Sequence, residues 1–229
     1  MAGETEFTGF GPKALDFLKA LGFHQSKAWF DENRALYESD LKTPLVALVQ
    51  AVSMQCGRAG LPLRGDARSV FRLNRDIRFA KDKRPYKTNA GAVLTPDGTK
   101  KAPGLLYVHI DPEGCFLAAG FWHAEPPQLL ALRRSIADDP KAFRSLLAKL
   151  GKASLALGDG DALSRLPKGF EGVADEEAAR AIRMRNLVVR RPLADASLFS
   201  PALAQEIGAF AGDAAPLLRF GWQTLGMRA

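Results

Sequence analysis

The 229-residue chain predicts an α+β fold, a central and mainly antiparallel meander sheet covered by N- and C-terminal helices. Apolar residues recur at helical spacing up to about Cys56 and again after Pro126. Between those stretches the period falls to two, and tight-turn sequences punctuate the chain. The order helices, strands, helices is that of one sheet with helices laid over it. No internal repeat or linker interrupts it, so residues 1–229 read as a single domain. A chain of this length buries a core without a disulfide or metal to staple it.

Residues 1–11 read as an arm. Gly9, Gly11 and Ala14 fit a GxGxxA pattern, but no strand precedes it, so the dinucleotide-binding reading is set aside. Gly11-Pro12 opens a first helix instead, with Ala14, Leu15, Phe17, Leu18 and Leu21 at helical spacing and Gly22 as its end. Ser26 caps a second helix, whose apolar face is Trp29, Phe30, Leu36, Tyr37 and Leu41. Thr43-Pro44 opens a third, reaching about Cys56. A strand is expected near 68–74, a loop over 75–86 and a short strand near 88–95. Leu105–Ile110 and Cys115–Phe121 flank Asp111-Pro112-Glu113-Gly114 and form a hairpin. Pro126-Pro127 and Asp139-Pro140 start two helices, and Gly151–Gly172 is mostly loop. A helix over 175–182, a short strand at Leu187–Val189 and a last helix from Ser200-Pro201 to about Phe220 complete the chain.

Several chemistries lack their residue patterns. No two histidines have metal-ligand spacing, and no cysteine or carboxylate completes a set, so neither a metal nor a cofactor is expected. No serine sits in a GxSxG turn. Gly151-Lys152-Ala153-Ser154 lacks the upstream glycine and strand of a phosphate loop. Gly158-Asp159-Gly160-Asp161 is too short for a calcium loop. Cys56 and Cys115 are far apart and fit a reduced, cytoplasmic protein. The first residues lack the apolar stretch of a signal peptide, and no apolar run is long enough to span a membrane, so no membrane partner is expected.

The charge is uneven. The net value is +7, yet residues 58–104 hold 12 basic and 4 acidic residues and the remainder holds 20 and 21. The surplus centres on Arg72–Asn89, where seven cations meet two aspartates and Phe79 and Tyr86 are interleaved. Arginine forks grip phosphate or carboxylate at two points and lysines add point charge. Arg72, Arg75, Arg78, Lys81, Lys83, Tyr86 and Lys87 are therefore the candidate ligand-binding residues. Arg191, in a second basic group at the end of the short strand, joins them. The competing reading is an ion-pair network in which Asp76 and Asp82 pin the loop. His109 lies on a strand, opposite the face of Val108 and Ile110.

These residues resemble a known family, the uncharacterised "domain of unknown function 2461". Its W-F-x-x-N-R-x-x-Y pattern is matched at Trp29, Phe30, Asn33, Arg34 and Tyr37. Its longest signature, approximately F-R-I-x-R-D-T-R-F-S-K-D-K-T-P-Y-K-T, is matched from Phe71 to Thr88 with departures at Leu73, Ile77, Ala80 and Arg84. Tyr107, His109 and Ile110, Gly120 and Trp122, and Val189, Arg191, Pro192 and Leu193 match three further segments. The resemblance implies a single complete domain with the basic loop as its hallmark, and it implies no particular activity.

Two function classes follow, with a third beside them. The first is a module binding an anionic partner, either a phosphate-bearing small molecule or nucleic acid. The second is an enzyme acting on an anionic small molecule, with Arg72, Arg75 and Lys87 holding the substrate and His109 or Asp76 as base. The third is a structural or partner-binding protein whose ion network only stabilises the fold. A closed pocket of a few hundred Å³ favours an enzyme or small-ligand site, and an open basic groove favours nucleic acid.

Overall fold

The computed structural model describes residues 6–158 and 160–227. Expectations for residues 1–5 and for Asp159 lie outside them. The four strands among the described residues are β1 (Ala90–Leu94), β2 (Leu105–Ile110), β3 (Cys115–Phe121) and β4 (Leu187–Leu193). They form one antiparallel sheet in the order β1-β2-β3-β4. The hairpin falls where the turn chemistry of Asp111–Gly114 predicts it, with Gly114 bonding back to the Asp111 carbonyl at 3.0 Å.

The N-terminal helical layer begins with α1 (Ala14–Phe23), which buries Ala14, Phe17, Leu18 and Leu21. It runs one residue past Gly22. Ser26 caps α2 (Lys27–Glu32), accepting the Trp29 N–H at 3.3 Å. The second expected helix is broken: α3 (Arg34–Leu36) passes into a wide π-turn over Tyr37–Lys42, which continues without a break into α4 (Thr43–Arg58). Thr43 is therefore helical and not a cap. Pro44 explains the wide turn, because it has no N–H and its ring crowds the carbonyl four residues back. That carbonyl, on Asp40, instead accepts the Gly11 N–H at 3.0 Å, which ties down the N-terminal arm.

The C-terminal layer is α5 (Pro126–Asp138), α6 (Pro140–Lys152), α7 (Glu176–Arg183), the short α8 (Asp195–Leu198) and α9 (Leu203–Thr224). Asp139 caps α6 through the Ala142 N–H at 2.9 Å. Asp175 caps α7 through the Ala178 N–H at 3.0 Å. Each is followed by a helix whose apolar residues share one face. The long α9 packs between α4 and β3, and α4 also meets β1. One continuous apolar core lies between these two helices and the sheet.

Two strand expectations need correction. No strand forms at 68–74. Asp66 and Ser69 close a reciprocal capping box around a 3₁₀ turn over Ala67–Ser69. The residues that follow divide between two partners, Val70 bridging Ala92 and Asn74 bridging Tyr86, so no continuous ladder develops. The strand at Leu187 instead extends to Leu193 and includes Pro192. β4 is an edge strand, where a missing N–H costs no ladder bond. No helix among the described residues is long and apolar enough to cross a membrane.

Candidate functional site

Side chains alternate across a sheet, and the register sorts them. The face that meets α4 and α9 carries Ala92, Leu94, Leu106, Val108, Ile110, Leu117, Ala119, Phe121 and Val189, all buried. The other face carries two transverse rows. One is Val93, Tyr107, Ala118, Arg190, and the other is Gly91, His109, Phe116, Pro192. No helix among the described residues packs across this second face. Val93, Ala118 and Val188 are buried on it, yet stand apart from the continuous core. They form the floor of a cavity of about 720 Å³, a size suited to a small ligand. Phe71 and Lys87 make one wall, the Lys100–Pro103 connection another, and the segment from Trp122 to Gln128 a third.

The walls are fixed from below. The Trp222 indole of α9, fully buried, donates to the Pro103 carbonyl at 3.1 Å. Gly104 has φ +78° and leaves no room for a side chain, since a Cβ would sit 2.2 Å from the Trp222 Nε1. On the opposite wall His123 has φ +50°, uncommon for a residue with a side chain, and Asn186 Oδ1 accepts its N–H at 2.7 Å.

The cavity is aromatic and cationic. Phe71 on the wall and Tyr107 and Phe116 on the floor form a row with ring centres 6.2 and 6.0 Å apart. At one end the Lys87 and Lys100 ammonium groups lie 5.5 and 4.7 Å from the Phe71 ring centre. At the other end the Arg190 guanidinium lies 4.9 Å from the Phe116 ring and 6.0 Å from Trp122. Among the described residues no carboxylate pairs with Lys87, Lys100 or Arg190. Burial, with repulsion from Lys87 and Arg72, pushes the Lys100 ammonium below its ordinary value. Crowded cations without counter-charges are an arrangement that an anion relieves.

At the centre of the floor the Tyr107 hydroxyl lies 2.9 Å from His109 Nδ1, and His109 Nε2 lies 3.5 Å from Asp111 Oδ2. The carboxylate can only accept, so Nε2 carries the proton and Tyr107 donates to Nδ1. Burial lowers the His109 pKa, and the Asp111 charge opposes that shift. Burial raises the Tyr107 pKa. Both groups are neutral near pH 7.

The basic loop is arranged differently. Arg75 N–H bonds the Pro85 carbonyl and Lys87 N–H the Leu73 carbonyl, both at 2.8 Å, which pinches residues 76–84 into a closed loop. Within it Arg78 pairs with Asp76 at 2.7 Å, and Asp82 is shared by Arg75 at 2.7 Å and Arg84 at 2.8 Å. Asp66-Ala67-Arg68, Asp76-Ile77-Arg78 and Asp82-Lys83-Arg84 repeat one device. In each the aspartate accepts the N–H two residues on and forks to that residue's guanidinium. These hydrogen bonds hold the Asp76 and Asp82 carboxyls below the usual carboxylate range. Lys83 donates to the Ile77 and Arg78 carbonyls.

The predicted site residues therefore separate. Lys87 and His109 line the cavity. Arg72 is exposed beside it, near enough to Lys100 to perturb that group. Arg75, Arg78, Lys83 and Asp76 are engaged within the loop, and Lys81 is exposed. Tyr86 is buried, stacked on Phe30 at 4.7 Å. Arg191 faces the helices, where it bonds Asp213 at 2.9 Å and the Ala153 carbonyl at 3.1 Å. Its neighbour Arg190 is the one that faces the cavity. Beyond the residues expected from sequence, the lining includes Lys100, Tyr107, Phe116, Trp122 and Arg190, and also the Glu125 carboxylate. Period-two alternation from His109 through the hairpin register was the signal that points to Tyr107, Phe116 and Arg190.

Fold and site together define the class: an α+β protein whose one antiparallel sheet gives one face to helices and the other to a cationic, aromatic cavity. The chain belongs to the family described as "Conserved hypothetical protein (DUF2461)", whose model matches residues 13–220. No curated protein and no solved structure matches it.

Proposed function

We propose that the protein binds a small phosphate-bearing ligand with a planar ring, and that the cavity on the uncovered sheet face is where it binds. The observation that carries this reading is the contrast in pairing. The arginines of the basic loop have aspartates of their own, whereas Lys87, Lys100 and Arg190 converge on the cavity without any. The phosphate sits against Lys87 and Lys100. The ring reaches across Tyr107 towards Arg190 and Trp122, a residue 47% exposed. A cytoplasmic location belongs to the same reading, since Cys56 and Cys115 are both free and buried.

Calorimetric titration with AMP, adenosine and inorganic phosphate tests this. AMP binds, and each fragment binds at least about tenfold more weakly. Lys87→Gln weakens AMP by about 10- to 100-fold, the loss expected for a hydrogen bond to a charged group, and Arg78→Gln leaves it unchanged. Absence of AMP binding at millimolar concentration, or an equal loss in Arg78→Gln, overturns the reading.

A second reading, single-stranded nucleic acid, rests on Phe79. It is 95% exposed on the basic loop, with the Arg78 guanidinium 6.0 Å from its ring. An exposed aromatic among cations is a stacking platform for a base. Oligonucleotide binding would then weaken with salt at a log–log slope of about −0.7 per phosphate contacted and be lost in Phe79→Ala.

A further inference from the structure

We propose that Tyr107, His109 and Asp111 form a proton relay that makes the cavity hydrolytic towards a phosphate ester. This rests on the binding reading above and goes one step past it, to a reaction. Both His109 nitrogens are occupied, Nδ1 by the Tyr107 hydroxyl and Nε2 by Asp111. The imidazole stacks on Phe116 at 4.4 Å, which fixes its plane. The histidine acts on a ligand through Tyr107, whose oxygen keeps lone pairs free while its proton points at Nδ1. Glu125 and Gln128 bring acceptors to the wall that runs from Trp122, and on the floor that oxygen is an acceptor a water or hydroxyl would find. It lies between the lysine end and the Arg190 end of the floor, where the bond joining a phosphate to the rest of the ligand would lie.

The sheet is shaped for this contact. Gly91 stands opposite His109 in the register. A Cβ there would lie 2.7 Å from the Tyr107 hydroxyl and 2.8 Å from its ring. The missing side chain is the space through which the phenol reaches His109. Gly91 is not in a left-handed conformation, so its use is room rather than backbone freedom.

The chemistry balances. A water held by Tyr107 gives its proton to the phenolic oxygen as the Tyr107 proton passes to His109 Nδ1. The hydroxide forms a bond to phosphorus, and the ester P–O bond breaks with its electron pair on the departing oxygen. The imidazolium, stabilised by Asp111, returns its proton through Tyr107 to that oxygen. Lys87 and Lys100 hold the phosphoryl oxygens throughout. The charged and titratable groups around His109 are Tyr107 on its own strand, Asp111 in the turn after it and Arg190 from β4.

The test uses p-nitrophenyl phosphate and bis(p-nitrophenyl) phosphate, with their binding measured separately by calorimetry. The parent protein releases nitrophenolate from at least one ester, at a rate that rises with pH through the His109 pKa, because the neutral imidazole is the base. Tyr107→Phe and Gly91→Ala each lower kcat about 100-fold or more and leave KM within a fewfold. Gly91→Ala removes no functional group, so its loss reports the displaced hydroxyl. Asp111→Asn removes the charge that holds the His109 pKa up, so the pH limb moves to lower pH, which a purely structural role would not do. Bound ester without turnover overturns the relay and leaves the binding reading intact, whereas neither binding nor turnover overturns both. Turnover that survives unchanged in Tyr107→Phe or Gly91→Ala also overturns the relay.

Discussion

Tyr86 separates ligand from core more sharply than any other residue of the basic stretch. Its sequence context, between Pro85 and Lys87, makes it a candidate to stack on a ligand, yet its ring is 5% exposed and lies parallel to Phe30 at 10° and 4.7 Å. Its N–H donates to Gln25 Oε1 at 3.0 Å, joining the loop to the end of α1. Truncating a buried aromatic ring to alanine costs about 3–5 kcal/mol, transfer and cavity together. For a domain of this size each kcal/mol shifts the melting temperature by about 2–4 °C, so Tyr86→Ala should melt about 6–20 °C below the parent. The hydroxyl has no hydrogen-bond partner among the described residues, so Tyr86→Phe should cost less than about 1 kcal/mol. Melting followed by circular dichroism and AMP titration at 20 °C read the two consequences. Tyr86→Phe keeps both the melting temperature and the affinity. A Tyr86→Ala protein melting within a degree of the parent, or a Tyr86→Phe protein with normal melting and no AMP binding, would refute the core assignment.

Three further outcomes follow. His109 has a folded pKa below its ordinary 6.5, so below about that pH the unfolded chain takes up the proton first. Its contribution to stability is therefore full above pH 6.5 and falls as the pH drops towards the folded value; the parent's stability minus that of His109→Gln, measured from pH 4.5 to 8, shows that decline. Burial pushes both the Cys56 and Cys115 thiols up to about 11, so a thiol-reactive disulfide at pH 8 labels neither in the native protein and both in denaturant. Arg75 is the clamp of the basic loop, 26% exposed and bonded to both Asp82 and the Arg84 carbonyl, whereas Arg78 is 77% exposed on a single partner. Arg75→Ala should lower the melting temperature by several degrees and Arg78→Ala by about a degree or less.

The fold was legible where local chemistry and tertiary packing agree. The hairpin around Asp111–Gly114, the caps at Ser26 and Asp139 and the helix after Asp175 are written in a few adjacent residues. The failures have physical causes. Val70 to Asn74 have the alternation of a strand, but Val70 bridges β1 and Asn74 bridges Tyr86, a long-range fact that periodicity cannot carry. α4 does begin at Thr43-Pro44, but Thr43 is no cap, because the π-turn that runs into it leaves no mark in composition. The candidate site was half legible. Lys87 and His109 line the cavity, but counting charge along the chain could not tell a cation with its own aspartate two residues away from one without. Arg190 and Arg191 differ by one position, and that one step turns a side chain from the cavity to α9.

A crystal structure of the protein soaked with AMP tests the central claim most directly. The claim predicts density in the cavity on the uncovered sheet face, with the phosphate within hydrogen-bonding distance of Lys87 and Lys100 and the base against Trp122 and Arg190. A cavity without density while AMP lies along the loop from Arg75 to Arg84, or nowhere on the protein, would contradict it.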